Sequence, residues 1–160
     1  MDGVTIRPMC REDLDEVDRI ERTNFSTPWR MEDFAGYLTE KNAVFLTAEE
    51  NGEVAGYIGA ILTDYEGDIT NVSVRPDRMH RGIGTALVSE ILTRIDARGV
   101  GRMFLEVRRS NVNAIRLYSE AGFAEAGVRK HYYRLPDEDA IVMMRERAGS
   151  GSDRSPEEER

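Results

Sequence analysis

A change of rhythm at Gly82 constrains this chain more than any other feature. A β-type run, NVSV at Asn71 to Val74, passes through RPDRMHRGIGTAL into a stretch where Ile83, Leu87, Val88, Ile91, Leu92 and Ile95 recur with a 3.6-residue period until Gly99. A strand that feeds a glycine-bearing loop opening directly into a helix leaves the first N–H groups of that helix without backbone partners. Gly82 and Gly84 let those groups approach an anion closely, the helix dipole adds positive potential, and Arg78 and Arg81 add full charges. The loop is a candidate diphosphate cradle. Two familiar cradles are excluded: GxxxxGKS/T is absent, and GxGxxG would need glycine where Leu87 stands. A loop that merely starts a helix carries the same GxG, so the rest of the chain has to decide.

Val4 to Pro8 predicts a first strand, and Arg11 to about Asn24 a helix with Leu14, Val17 and Ile20 on one face. FSTPW interrupts, with Ser26 and Thr27 as caps and Pro28 as breaker, before Met31, Phe34, Tyr37 and Leu38 resume helical spacing. AVFLTAEE, then NG, then EVAGYIGAILT predicts a hairpin, and GDITNVSV a further strand. After the long helix come a strand RMFLEV, a helix from Asn111 to Ala121 closed by Gly122, and strands near Phe123 to Tyr132 and Asp139 to Arg145. The order β-α-α-β-β-β-α-β-α-β-β implies an α/β (α+β) domain with one sheet covered on both faces. One domain is expected over residues 1–147. From Ala148 the chain turns small, polar and charged, and residues 148–160 are expected to form a disordered acidic tail.

With 160 residues the chain can bury a core without disulfides or metals. Its 30 acidic against 22 basic residues, net −8, argue against a general nucleic-acid binder, and no apolar run approaches the length that spans a bilayer. Neither nucleic acid nor membrane is an expected partner. MDGVTIRP lacks the basic start and apolar stretch of a signal peptide, and the lone Cys10 allows no internal disulfide, so a cytoplasmic setting is expected. Cys10 reads as a small buried hydrophobe, and His80 and His131 have no ligand-spaced partners, so no metal is expected.

VSVRPDRMHRGIGTALV resembles the acetyl-CoA loop of the GNAT acetyltransferases, Q/R-x-x-G-x-G/A after a strand, with Met79 standing where Gln or Arg is usual. LEVRRSNVNAIRLYSEAGF and KHYYRLPDEDAIVM resemble more narrowly the RimI-type branch, the N-terminal acetyltransferases of ribosomal proteins with their archaeal and eukaryotic relatives. The likeness runs from about Val4 to Met144. It implies the GNAT fold: one mixed, mostly antiparallel sheet of about seven strands flanked by about four helices. It also implies acetyl-CoA as co-substrate. The backbone of Val72, Ser73 and Val74 would pair with the pantetheine arm. In the loop opened by Met79, residues His80, Arg81, Gly82, Ile83, Gly84 and Thr85 would cradle the pyrophosphate. Asn111, by itself a helix cap, would also contact the coenzyme.

Period-two alternation puts Glu106 with Phe104 and opposite Leu105 and Val107, a carboxylate amid apolar neighbours, which is a setting suited to a general base. The residues alone favour an ion pair with Arg108 or Arg109; the resemblance makes Glu106 the base. Tyr118 falls in phase with Ala114, Ile115 and Ala121, as a core aromatic would, and the resemblance makes it the general acid for the departing thiolate. Phe25 and Trp29 in the bend, and Tyr132 and Tyr133 between the last strands, are candidate walls of a peptide groove, with Tyr133 and Glu138 expected to grip the peptide N-terminus. An α-amino group titrates at roughly 7.7 to 8.0 and lysine at about 10.4, so a protein N-terminus is the easier nucleophile. The expected function is acetyl transfer from acetyl-CoA to protein N-termini, those of ribosomal proteins among them, by direct attack in a ternary complex. A lysine or small-amine acetyltransferase and a non-catalytic CoA-binding module are the alternatives.

Overall fold

The structure, a computed structural model, describes residues 3–147. The tail expected from Ala148 onward lies outside the described residues. Seven strands form one sheet: β1 (Val4–Pro8), β2 (Ala43–Glu50), β3 (Glu53–Leu62), β4 (Glu66–Val74), β5 (Arg102–Arg108), β6 (Ala124–Arg134) and β7 (Asp137–Glu146). Four helices accompany them: α1 (Leu14–Asn24), α2 (Met31–Tyr37), α3 (Ile83–Ala97) and α4 (Val112–Glu120). The order matches the one expected, with short 3-10 turns added at Arg11–Asp13 and Pro76–Arg78. The NG turn forms as its residues demand, Asn51 and Gly52 both taking positive φ (55° and 80°), so β2 and β3 pair directly.

The strands lie in the order β1-β2-β3-β4-β5-β7-β6, and every neighbouring pair is antiparallel except β4 and β5. That parallel pair holds only from Glu66↔Arg102 to Asp68↔Phe104. Beyond it β4 continues to Val74 and β5 to Arg108 without pairing to each other, so a gap opens in the middle of the sheet. A register shift opposite Gly59 and Ala60 leaves Thr70 unmatched and bends β4 where the strands part.

The sheet has two packed faces. On one, α3 and α4 cover Leu46, Ile58, Ile69, Leu105 and Ile141 with Leu87, Ile91, Ile95 and Tyr118. On the other, α1 and α2 cover Phe45, Val54 and Tyr57 with Val17, Ile20 and Phe34. Since α1 packs over β3 and β4 with α2 beside it, the β5-β7-β6 part of this second face is left for other work. None of the described helices is long and apolar enough to cross a membrane. Cys10 is exposed, contrary to the expected burial, because its thiol lies at the rim beside Arg7 and Asp13.

Candidate active site

The loop before α3 takes the form its glycines allow. His80 and Gly82 both adopt positive φ (64° and 90°), turning the chain sharply around Arg81 into the helix. The first intrahelical bond runs from Ala86 N–H to Gly82 C=O, and Gly82 has no side-chain cap, so the N–H groups of Ile83, Gly84 and Thr85 lack helical partners at the head of a 15-residue helix. Ile83 buries its side chain in the core while its amide faces out, and a Cβ on Gly84 would meet only ordinary contacts with Leu117 and Val74. Met79 is exposed. A groove of about 350 Å³ beside the loop, lined by Thr85, Ser89 and Leu117 among others, separates α3 from α4.

The arginines sit differently from expectation. Arg81 donates to Glu50 at 2.6 Å and Arg78 to the other oxygen of the same carboxylate at 2.8 Å, while Arg78 also reaches Glu53. Glu50 ends β2 with its side chain nearly buried, so it draws both guanidiniums toward the hairpin. The loop is braced from behind, and its anion-binding capacity rests on backbone amides more than on these two charges.

On β4, Arg75 N–H donates to Ala55 C=O, so period-two alternation turns the backbone of Val72 and Val74 toward the gap and that of Ser73 toward β3. The Asn24 amide donates to the Ser73 hydroxyl and, at 2.9 Å, to the Val74 carbonyl. The end of α1 is thereby tied to the strand expected to hold a pantetheine arm. These donors and acceptors fit the group: a strand edge that β5 does not pair beyond Asp68 leads to three amides without helical partners at the head of α3.

Glu106 and Tyr118 lie on opposite faces of the sheet: Tyr118 packs in the core under α3 and α4 with Leu105 and Val107, and Glu106 alternates with those two along β5. Burial pushes the Tyr118 hydroxyl well above the ordinary tyrosine range, with Tyr133 adding to it, so Tyr118 remains a proton donor at neutral pH. Burial also raises Tyr133, to about 12, helped by the charges of Tyr132 and Glu106, so Tyr133 is coupled electrostatically to both candidate catalytic groups. Glu106 is partly exposed and faces not Arg108 or Arg109 but Arg129 of β6, whose Nε lies 3.1 Å from Oε2. Its setting is an ion pair on a half-open face, a correction to the apolar surroundings expected from its strand neighbours.

The bend between α1 and α2 meets the β6–β7 turn through the Ser26 hydroxyl, which donates to the Leu135 carbonyl. Phe25 and Tyr132 are exposed on these two segments. Trp29 is not a free wall: its ring packs among Phe34, Tyr37 and Phe45, and its backbone N–H donates to Glu21. Glu138 is committed too, accepting from Ser110 N–H at 2.6 Å and from Arg108 at 3.2 Å, and these bonds hold its carboxyl below the ordinary range. It therefore organises the wall instead of meeting an acceptor. Arg108, which sequence reasoning offered only as a partner for Glu106, proves to be the organiser: it stacks on Tyr133 and donates to the carbonyls of Leu135 and Pro136. Asn111 caps α4, accepting from Ala114 N–H. Among the described residues no cluster of His, Cys, Asp or Glu has the makings of a metal site.

Known proteins match this arrangement. The family model described as Acetyltransferase (GNAT) family matches residues 12–123. The [ribosomal protein bS18]-alanine N-acetyltransferase of Escherichia coli (strain K12) is 37% identical over 142 residues, covering 87% of this chain and 95% of that one. N-alpha-acetyltransferase RimI of Mycobacterium tuberculosis is 33% identical over 149 residues, covering 89% and 92%. The crystal structure of the ribosomal-protein-S18-alanine N-acetyltransferase from Escherichia coli superposes with a TM-score of 0.83 at 32% identity, over 92% of this chain and 97% of that one. The fold is thus shared along nearly the whole described chain, and the chain belongs to the acetyltransferase (GNAT) family.

Proposed function

We propose that this chain acetylates the α-amino group of protein N-termini in the cytoplasm, a ribosomal protein among its acceptors, with acetyl-CoA as donor, Glu106 as general base and Tyr118 as general acid. What supports this reading is the parting of β4 and β5, whose β4 side runs into the loop with the partnerless amides of Ile83, Gly84 and Thr85, together with Glu106 and Tyr118 on the two faces of the same sheet. The names of the relatives supply the acceptor class.

The family's donor supplies an acetyl group as a thioester, open to attack by a neutral amine with loss of a thiolate. Val72 and Val74 present backbone toward the gap for the donor arm, and the loop amides meet the diphosphate. Glu106 accepts the proton that the attacking nitrogen releases, directly or through one water. Tyr118, kept neutral by burial, gives its proton to the departing sulfur. Proton balance closes, since the base gains one and the acid loses one, and solvent exchange resets both.

The test is mass analysis of a peptide panel varied at its first two residues and incubated with acetyl-CoA, including N-terminally blocked peptides that carry lysine. Acetyl on free N-termini alone is the expected result. Acetyl on blocked peptides would transfer the assignment to lysine, and absence of product despite acetyl-CoA binding would transfer it to a small-amine acceptor or a non-catalytic module.

A further inference from the structure

We propose that Arg129 is a positioning residue of the acceptor site, one that shares Glu106 with the incoming amine and so selects it in the neutral form. The proposal rests on the reading of Glu106 as the base.

The sheet's strand order produces the pair. Arg129 of β6 is in register with Ala140 of β7 and, through it, with Arg108 of β5, while Glu106 is in register with Val142 and, through it, Gly127. Arg129 and Glu106 thus share one face on either side of β7. Ala140, small and fully buried, lets the long arginine side chain cross that strand. The register of β6 slips between Arg129 and Tyr133, with His131 at positive φ, so the strand bulges just after Arg129 and carries Tyr132 alongside it. The guanidinium carbon of Arg129 lies 5.6 Å from the centre of the Tyr132 ring.

The charges around Glu106 can be named element by element. On its own strand is Arg108, engaged with Tyr133 and Glu138; on β6 are Arg129, Tyr132 and Tyr133; on β7 is Glu138; on β4 is Asp68; Tyr118 of α4 lies on the opposite face of the sheet. Asp68 is paired in register with Phe104 and so shares the face of Glu106, and Arg129 acts on it electrostatically. Arg108 is tied down by carbonyls of the turn. Arg129 is the cation left to move: its side chain is 59% exposed, against 26% for Glu106.

An amine docking on Glu106 therefore arrives beside a guanidinium. A protonated amine meets a like charge there and a neutral one does not, so the site favours the nucleophilic form. When Arg129 yields Glu106, the Tyr132 ring and Asp68 lie within its reach on the same face.

The test is steady-state acetylation of a peptide with a free N-terminus, from about pH 6.5 to about pH 9.5, for wild type, R129Q, R129K and E106Q. Binding of the same peptide with a trimethylated N-terminus, a fixed cation, is measured alongside. R129Q is expected to move the acid limb of kcat upward by about one pH unit and to tighten binding of the trimethylated peptide roughly fivefold, while R129K stays near wild type. A fall in kcat equal at all pH values, with cation binding unchanged, overturns the proposal and leaves a structural role. If E106Q loses turnover while R129Q keeps the wild-type limb, the Arg129 proposal alone fails. If E106Q keeps wild-type turnover, the base assignment fails and Arg129 with it.

Discussion

The guanidinium carbon of Arg108 lies 4.3 Å from the centre of the Tyr133 ring, and the same group donates to Glu138 and to the carbonyls of Leu135 and Pro136. One side chain therefore holds both Tyr133, proposed as a wall of the acceptor site, and the turn beside it. Arg108→Ala should raise the acceptor KM about 3- to 30-fold, the range a stacked cation contributes, and leave acetyl-CoA affinity unchanged. Kinetics at saturating acetyl-CoA would show it; a change confined to kcat would place Arg108 elsewhere in the reaction.

Glu106→Gln and Tyr118→Phe each remove a proton-handling group while keeping shape. Turnover should fall about 10²- to 10⁴-fold in each, with acetyl-CoA binding by calorimetry nearly unaltered. Because the two groups act on different protons, added base such as imidazole is expected to rescue Glu106→Gln in part and not Tyr118→Phe.

Tyr57, Tyr118 and Tyr133 all have hydroxyls raised chiefly by burial, Tyr133 to about 12. Below the ordinary tyrosine value of about 10, these groups are neutral in folded and unfolded chains alike, and their contribution to stability is complete. As pH climbs past that value the unfolded chain releases protons that the folded chain retains, so stability falls. The melting temperature should drop between about pH 9 and about pH 11, and the Tyr118→Phe variant should lose less. Wild-type kcat, in contrast, should show no alkaline loss near pH 10, where an unperturbed tyrosine acid would fail.

Glu21 is buried, and its carboxylate accepts from the Tyr57 hydroxyl at 2.5 Å, the Trp29 N–H at 3.0 Å and the Asn71 amide at 3.4 Å. Glu21→Ala strands all three donors and should cost about 3 kcal/mol, seen as a melting temperature lower by roughly 6 to 12 °C. Glu21→Gln, which still accepts, should lose about half as much. Because Trp29 anchors the α1–α2 bend, acceptor KM should rise in both variants more than acetyl-CoA affinity falls.

Much of this was legible along the chain. Helical and strand periods are local properties, so the element order, the Asn51–Gly52 turn, the capping by Asn111 and the loop at Gly82 were all read from neighbouring residues, and the structure has each of them. The misreadings have a common cause. Trp29 looked like a groove wall because the chain does not reveal that Phe34, Tyr37 and Phe45 converge on it from α2 and β2. Glu138 looked free because its partners, Arg108 and Ser110, lie almost thirty residues away. Cys10 looked apolar and buried, and lies exposed against Arg7 and Asp13.

Glu106 marks the boundary between the two kinds of information. Alternation along RMFLEV determined which face its carboxylate takes, since successive side chains of a strand point to opposite sides. Its charge partner was decided elsewhere. β7 inserts between β5 and β6, so Arg129, distant in sequence, faces Glu106 across a single strand, while the adjacent Arg108 turns to Tyr133. The sequence by itself determined the elements, the glycine-bearing loop that opens α3 and the face each catalytic candidate takes. The tertiary structure decided the ion pairs and the walls, because these depend on strand order and packing that no local pattern encodes.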